Sequence, residues 1–198
     1  MRTRDRLLKA AFQEVYRVGF QSAGVDTILA ATNLTKGALY HHFESKDALG
    51  LAIIEEIVSE ITRARWLVPL EKNRDKDPID ALVDVVTALP AQPKDVKNGC
   101  PLVTLAQEMS RLDEKFRRRL EKIFRSWQDE IGATLRRGQS AGTVRRDVDP
   151  DETGSFLVAM IEGYEVLAKN AQDPEVWKIG IGNIVGWLNS LRTPRTQT

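Results

Sequence analysis

Three aspartate–proline pairs punctuate this chain more firmly than any other feature: Asp77-Pro78, Asp149-Pro150 and Asp173-Pro174. An aspartate at the N-cap accepts a hydrogen bond from an otherwise unpaired backbone N–H. A proline at the first helical position lacks the N–H that would go unpaired anyway, and its φ is already helical. Apolar residues follow each pair at a 3.6-residue period. After the first come Ile79, Leu82, Val83 and Val86. After the second come Phe156, Met160, Ile161, Tyr164 and Leu167, and after the third Val176, Trp177, Ile181, Ile184, Val185 and Leu188. The pairs therefore predict three helix starts.

The remaining stretches read the same way. Leu8, Ala11, Phe12 and Val15 share a helical face that Gly19 closes. Ser45 opens a long helix with Leu49, Ala52, Ile53, Ile57, Ile61 and Ala64 facing inward, expected to end before Pro69. A loop is expected over Ala91–Gly99, then a short helix opened by Pro101 and fading near Arg111. Asp113 starts a long charged helix with Phe116, Leu120, Ile123, Trp127, Ile131 and Leu135 along one side. No alternating segment bounded by hairpin turns occurs, so no strand is expected. The fold class predicted is all-α, with about nine helices. The polar tail Arg192–Thr198 is expected to be disordered.

A chain of 198 residues buries enough core to fold without a staple. One cysteine, Cys100, allows no internal disulfide and no thiolate metal cage, and no metal site or cofactor is expected. The basic start Met1-Arg2-Thr3-Arg4-Asp5-Arg6 is not followed by the apolar stretch of a signal peptide. No apolar run is long enough to cross a bilayer, so a cytoplasmic protein without membrane partners is expected.

Residues Val25 to Phe43 stand apart. Val25-Asp26-Thr27-Ile28-Leu29-Ala30-Ala31 is a short apolar helix, followed by Thr32-Asn33-Leu34 and then Thr35-Lys36-Gly37-Ala38-Leu39-Tyr40-His41-His42-Phe43. Asn33 suits a left-handed turn position, Leu34 is placed to bury between the helices, and Thr35 is the N-cap of the second helix. This is a helix-turn-helix pattern. The second helix keeps Leu39 and Phe43 for the core and exposes small residues near its start. Small residues let a helix backbone approach a groove floor, and the Ala38 methyl suits a thymine methyl. Lys36 and Lys46 offer cations to phosphates, and Tyr40 and His41 offer hydrogen bonds.

The string from Thr35 through Leu49, with Gly19-Phe20 and Val25…Ile28 upstream, resembles the recognition-helix signature of the TetR family of transcriptional regulators. It covers about a quarter of the chain. Ala23-Gly24 stands where the family usually has Thr or Ser, which leaves Ser22 as the nearest hydroxyl for a phosphate, and Asn33 stands where Gly is usual. The resemblance implies a three-helix DNA-binding domain over residues 1–48 and a larger helical domain over 49–198 that binds a small-molecule effector and dimerises. It implies a homodimer on double-stranded, pseudo-palindromic operator DNA, most commonly as a repressor released by the effector. The DNA-contacting residues it implies, with those read above, are Ser22, Thr35, Lys36, Gly37, Ala38, Tyr40, His41 and Lys46.

Gly99-Cys100-Pro101-Leu102 resembles a subgroup of that family with Gly-Cys at the start of the sixth helix, the NemR type, in which some members respond to electrophiles or oxidants. The physical basis is separate. With Pro101 at the first helical position, Cys100 is the N-cap, where the helix dipole favours a thiolate. A structural cysteine is the competing reading. Lys169, late in an apolar helix, is a candidate neighbour for the thiol or else a solvated lysine.

An effector pocket is expected between helices of the second domain. Candidate liners are Trp66, Cys100, Met109, Phe116 and Phe124, with Trp127, Phe156, Met160 and Tyr164, although any helical core uses the same residue types. For the dimer interface, Gly180, Gly182 and Gly186 interrupt an apolar helix and suggest close helix approach. The candidates are Ile161, Gly180, Ile181, Ile184, Val185 and Leu188.

An enzyme is not expected, since Cys-x-x-Cys, His-x-x-x-His and a phosphate-cradling glycine loop are all missing. Gly180-x-Gly182-x-x-x-Gly186 is one residue off a dinucleotide fingerprint and follows no strand. A helical protein-interaction adaptor would explain the helices but not the Lys36–Phe43 string. Net charge is +1 overall. Residues 1–49 carry seven Lys/Arg against five Asp/Glu, leaving 22 against 23 for the rest. Dimerisation and groove fit must then supply much of any DNA affinity.

Overall fold

The computed structural model describes residues 2–89 and 93–194. They contain α1 (Thr3–Val18), α2 (Val25–Ala30), α3 (Lys36–His42), α4 (46–72), α5 (Pro78–Thr87), α6 (Pro93–Asn98), α7 (Pro101–Met109), α8 (Glu114–Ser140), α9 (Pro150–Ala171) and α10 (Pro174–Ser190). No strand occurs among the described residues, only an isolated antiparallel bridge between Val144 and Arg192.

The local chemistry read from the sequence is in place. Asp77 accepts the N–H groups of Ile79 and Asp80, Asp149 those of Asp151 and Glu152, and Asp173 that of Glu175. Ser45 caps α4 through the N–H of Ala48, and Asp113 caps α8 through those of Lys115 and Phe116. Gly19 closes α1 at φ +87°.

Three expectations are corrected. The first concerns α4, which does not stop before Pro69 but runs on to Lys72. Two π-helical stretches, Ile53–Val58 and Arg63–Leu67, lie within it. The second widens the hydrogen-bond ladder just before Pro69, where the proline ring would otherwise crowd the carbonyl four residues back. Second, part of the expected loop before Cys100 is α6, whose last turn receives the Gln172 side chain on the carbonyl of Lys97 at 3.3 Å. Third, Arg192 is not part of a disordered tail. Its guanidinium donates to Asp77 at 2.8 Å and to Asp80, and the neighbouring Thr193 N–H donates to Thr143. Residues 90–92 of the loop region and 195–198 of the tail lie outside the described residues.

The chain packs as two compact units, Met1–Ile61 with Cys100–Ile123 and Thr62–Gly99 with Phe124–Thr198. The first buries Leu7, Leu8, Ala11 and Val15 of α1 with Ile28, Leu39, Leu49 and Ile53. Phe20 tilts against Phe116 with ring centres 4.8 Å apart. Gly50 is required there, because a Cβ would lie 2.4 Å from the Phe20 ring and 2.7 Å from that of Phe116.

In the second unit Trp66 and Trp127 pack at 4.5 Å, both almost fully buried. The helices α9 and α10 lie against each other with Gly180 seated on Tyr164, where a Cβ would be 2.4 Å from Cγ. Ile161, Gly180, Ile184 and Leu188 are buried inside the chain, not on a surface open to a partner. On α10, Gly180, Ile184 and Leu188 lie four residues apart, the spacing of one helical face. Apolar periodicity marks that face without saying whether the second helix belongs to the same chain. Ile181 and Val185 are half-buried.

Candidate nucleic-acid interface

The segment 25–43 folds as helix, turn, helix. Asn33 takes the left-handed conformation at φ +53° that the turn requires, and the Thr35 hydroxyl accepts the N–H of Ala38 at 3.2 Å. On α1, Arg6 holds the end of α2 by donating to the carbonyl of Thr32 at 2.8 Å. Leu39 and Phe43 are buried, anchoring α3 from one side. Its other side presents Lys36, Gly37, Tyr40, His41 and His42 to solvent, with Ala38 half-exposed. A Cβ on Gly37 would meet nothing closer than the Thr35 hydroxyl at 3.7 Å, so the backbone there is open to close approach. Ser22 is exposed two residues before the N-cap of α2.

The cations of this segment are largely engaged within the chain. Lys36 pairs with Asp26 of α2 at 2.9 Å, and that carboxylate raises the Lys36 ammonium above its usual pKa. Lys46 donates to the carbonyl of Gln21 at 3.0 Å and lies 5.0 Å from the centre of the Phe20 ring. Arg4 pairs with Glu56, and Arg17 with Glu14. The small positive excess of residues 1–49 is thus not a set of idle charges. Lys36 is held by Asp26, a partner the sequence signals only as an acid in the first turn of α2.

Residues 7–53 match the family described as bacterial regulatory proteins, tetR family, and residues 76–179 match the tetracyclin repressor-like C-terminal domain. The chain belongs to the TetR family. Among its relatives are the transcriptional repressor DhaR of Mycobacterium sp. (strain GP1), 29% identical over 160 residues, and the transcriptional regulator AcuR of Cereibacter sphaeroides, 30% identical over 176. The matches cover 81% of this chain and 79% of DhaR, and 85% and 77% for AcuR. The repressor NemR of Escherichia coli (strain K12) is 25% identical over 193 residues, 97% of this chain and 95% of NemR. The solved structure of its reduced form shares the fold, with a TM-score of 0.81 at 23% identity over 98% of this chain and 100% of that one. As a TetR-family protein the chain is a DNA-binding transcriptional regulator and not an enzyme. Among the described residues no helix is long and apolar enough to cross a membrane.

The expected effector-site residues of this TetR-family chain fall in both compact units. Cys100, Met109 and Phe116 belong to the first compact unit, where Phe116 is core beneath Phe20. Trp66, Phe124, Trp127, Phe156, Met160 and Tyr164 belong to the second. Within it Phe156 is 52% exposed and meets the Trp187 ring edge-on at 5.2 Å, so it faces outward. The Tyr164 ring packs under Gly180 and its hydroxyl accepts from Asn183 at 2.9 Å.

Cys100 is the N-cap of α7, half-buried, with extended backbone and Pro101 next to it. Lys169 lies along Gly99, where a Cβ would be 3.0 Å from Lys169 Cδ. A half-buried carboxyl with no local sequence signal is Glu165. Burial pushes its carboxyl pKa up, and Arg65, 3.7 Å away, offsets this only in part.

Proposed function

We propose that the chain is a homodimeric cytoplasmic repressor that reads a pseudo-palindromic operator through α3 and releases it when a small-molecule effector binds. In this reading residues 1–48 form the DNA-binding domain and residues 49–198 the effector-binding and dimerisation domain. The observation that carries it is the exposed face of α3, with Lys36, Gly37, Tyr40 and His41 outward on a helix fixed by the Thr35 cap and by buried Leu39. Thr35 and Ser22 offer hydroxyls to phosphates, Ala38 a methyl to the groove floor, and Lys46 a second cation. Repression is supported by the names of DhaR and NemR.

For the dimer face we propose the outward sides of α9 and α10. Phe156, Leu167 and Ile179 are each more than half exposed, and Gly163, Gly182 and Gly186 have open space where a Cβ would stand. Exposed apolar side chains interleaved with glycines suit a two-fold helix packing. The effector lies in this reading among the second-domain aromatics Trp66, Phe124 and Trp127 with Met160.

The test is operator binding, on a duplex selected from random DNA by the unmodified protein. Lys36→Ala and Tyr40→Ala should each weaken binding about tenfold or more, and Lys36→Ala should lower the salt slope by about one. Asp26→Asn removes both the competing partner of Lys36 and a negative charge, and should strengthen binding a few-fold at low salt. Unchanged affinity in all three variants refutes the placement of the recognition face.

A further inference from the structure

The turn between α1 and α2 is held by a residue far outside the helix-turn-helix. The Glu108 carboxylate, in the last turn of α7, accepts the backbone N–H of Phe20 at Oε2 and that of Gln21 at Oε1, both at 2.8 Å. Gly19 makes room for it. At φ +87° this is a conformation that favours glycine, and a Cβ there would sit 3.0 Å from Oε2. The same turn is gripped from its other side, where Lys46 donates to the Gln21 carbonyl and covers the Phe20 ring. A carboxylate spanning two backbone donors makes charge-assisted bonds with directional preference, and so fixes the peptide planes as well as satisfying them.

Satisfying the donors does not by itself require Glu108. Gln21 is exposed, and water would meet its N–H at little cost. What the carboxylate adds is geometry. Gln21 is followed by Ser22, the exposed hydroxyl, and then by Ala23 and Gly24, the N-cap of α2. The direction in which α2 starts, and where the Ser22 hydroxyl stands, follow from the peptide planes that Glu108 holds.

We propose that Glu108 is a positioning residue for DNA binding: without touching DNA, it sets the turn 19–21 so that Ser22 and the start of α2 meet the phosphate backbone. The proposal rests on the reading that α2 and α3 face DNA.

The experiment compares the full chain with Glu108→Gln, which keeps the size but turns one acceptor into an NH2 group facing an N–H donor. Both are studied at 10 °C after circular dichroism has established the folded fraction. Amide hydrogen exchange is followed at Phe20 and Gln21, and affinity for the selected duplex is measured by anisotropy across a salt series. The expected result is faster exchange at those two amides. Affinity should fall about tenfold, the worth of one hydrogen bond to a charged group, with the salt slope kept because no cation–phosphate contact is removed. Glu108→Asp, which keeps the charge, should bind better than Glu108→Ala.

Parental affinity in Glu108→Gln, with exchange at Phe20 and Gln21 accelerated, would make the carboxylate a staple of the turn alone and overturn the proposal. So would a variant that is unfolded at 10 °C, since its role would then be folding. If the parent itself selects no duplex, the failure belongs to the placement of α2 and α3 against DNA.

Discussion

Cys100 shows how one position carries two incompatible roles until chemistry separates them. At the N-cap of α7 with extended backbone, it meets the N-terminal end of the helix dipole, which favours the thiolate. It is half-buried, so a small electrophile has access. Serine is the better structural residue here, because a hydroxyl caps the N2 or N3 N–H and contributes about 1 kcal/mol. Cys100→Ser should therefore fold at least as stably as the parent in urea titrations. If the thiol is a sensor, N-ethylmaleimide should release operator DNA from the parent and leave the variant bound. Because α7 begins at Cys100 and ends beside Glu108, alkylation should also speed amide exchange at Phe20 and Gln21. Release from both proteins alike would leave Cys100 a structural cap.

Among the helices, the Asp-Pro starts carry the most independent chemistry, and that of α5 does more than cap. Asp77 Oδ1 takes the N–H groups of Ile79 and Asp80 and also the guanidinium of Arg192, 115 residues away. Burial alone would raise its pKa. The Asp80 N–H, the Thr143 hydroxyl and Arg192 together outweigh burial and hold it below the usual carboxylate value. A depressed native pKa means stability that is present above the unfolded-state value near 3.9. It is lost as pH falls through the native one. Asp77→Asn keeps the cap but loses the ion pair. It should cost about 1 kcal/mol at pH 7 by urea denaturation, a difference that shrinks toward zero as pH falls below the usual carboxylate range. A constant difference across that range would place the effect in the cap instead.

The caps, the left-handed Asn33 and the outward face of α3 were readable from sequence because each depends on neighbours within four residues. The passage of α4 through Pro69 depends on a π-helical register that periodicity does not encode. The Arg192–Asp77 and Glu108–Phe20 pairings join residues 115 and 88 positions apart. Nothing in local pattern distinguishes Ile184, fully buried, from Ile179, which stands 60% exposed on the same helix.

That difference decides where a second copy can dock. In the proposed dimer, Ile184 and Leu188 are already covered within the chain, which leaves Phe156, Leu167 and Ile179 to the partner, with open glycines at 163, 182 and 186. An exposed isoleucine contributes little to the stability of its own chain, and its replacement by glutamate should change monomer stability by no more than about 0.5 kcal/mol. In a two-fold interface the same substitution buries two carboxylates facing each other, which desolvation and like-charge repulsion oppose. Ile179→Glu should therefore shift the protein from dimer to monomer in sedimentation equilibrium, with its helical circular dichroism unchanged. One recognition helix bound to one half-site loses the effective-concentration gain of the pair. Operator affinity should fall by about a hundredfold or more, and occupancy should become steeply dependent on protein concentration. A variant that stays dimeric with parental affinity would move the interface off α10. The open glycines at 182 and 186 would then lack a partner, and their cost to helix stability, about 1 kcal/mol each relative to alanine, would have no compensation.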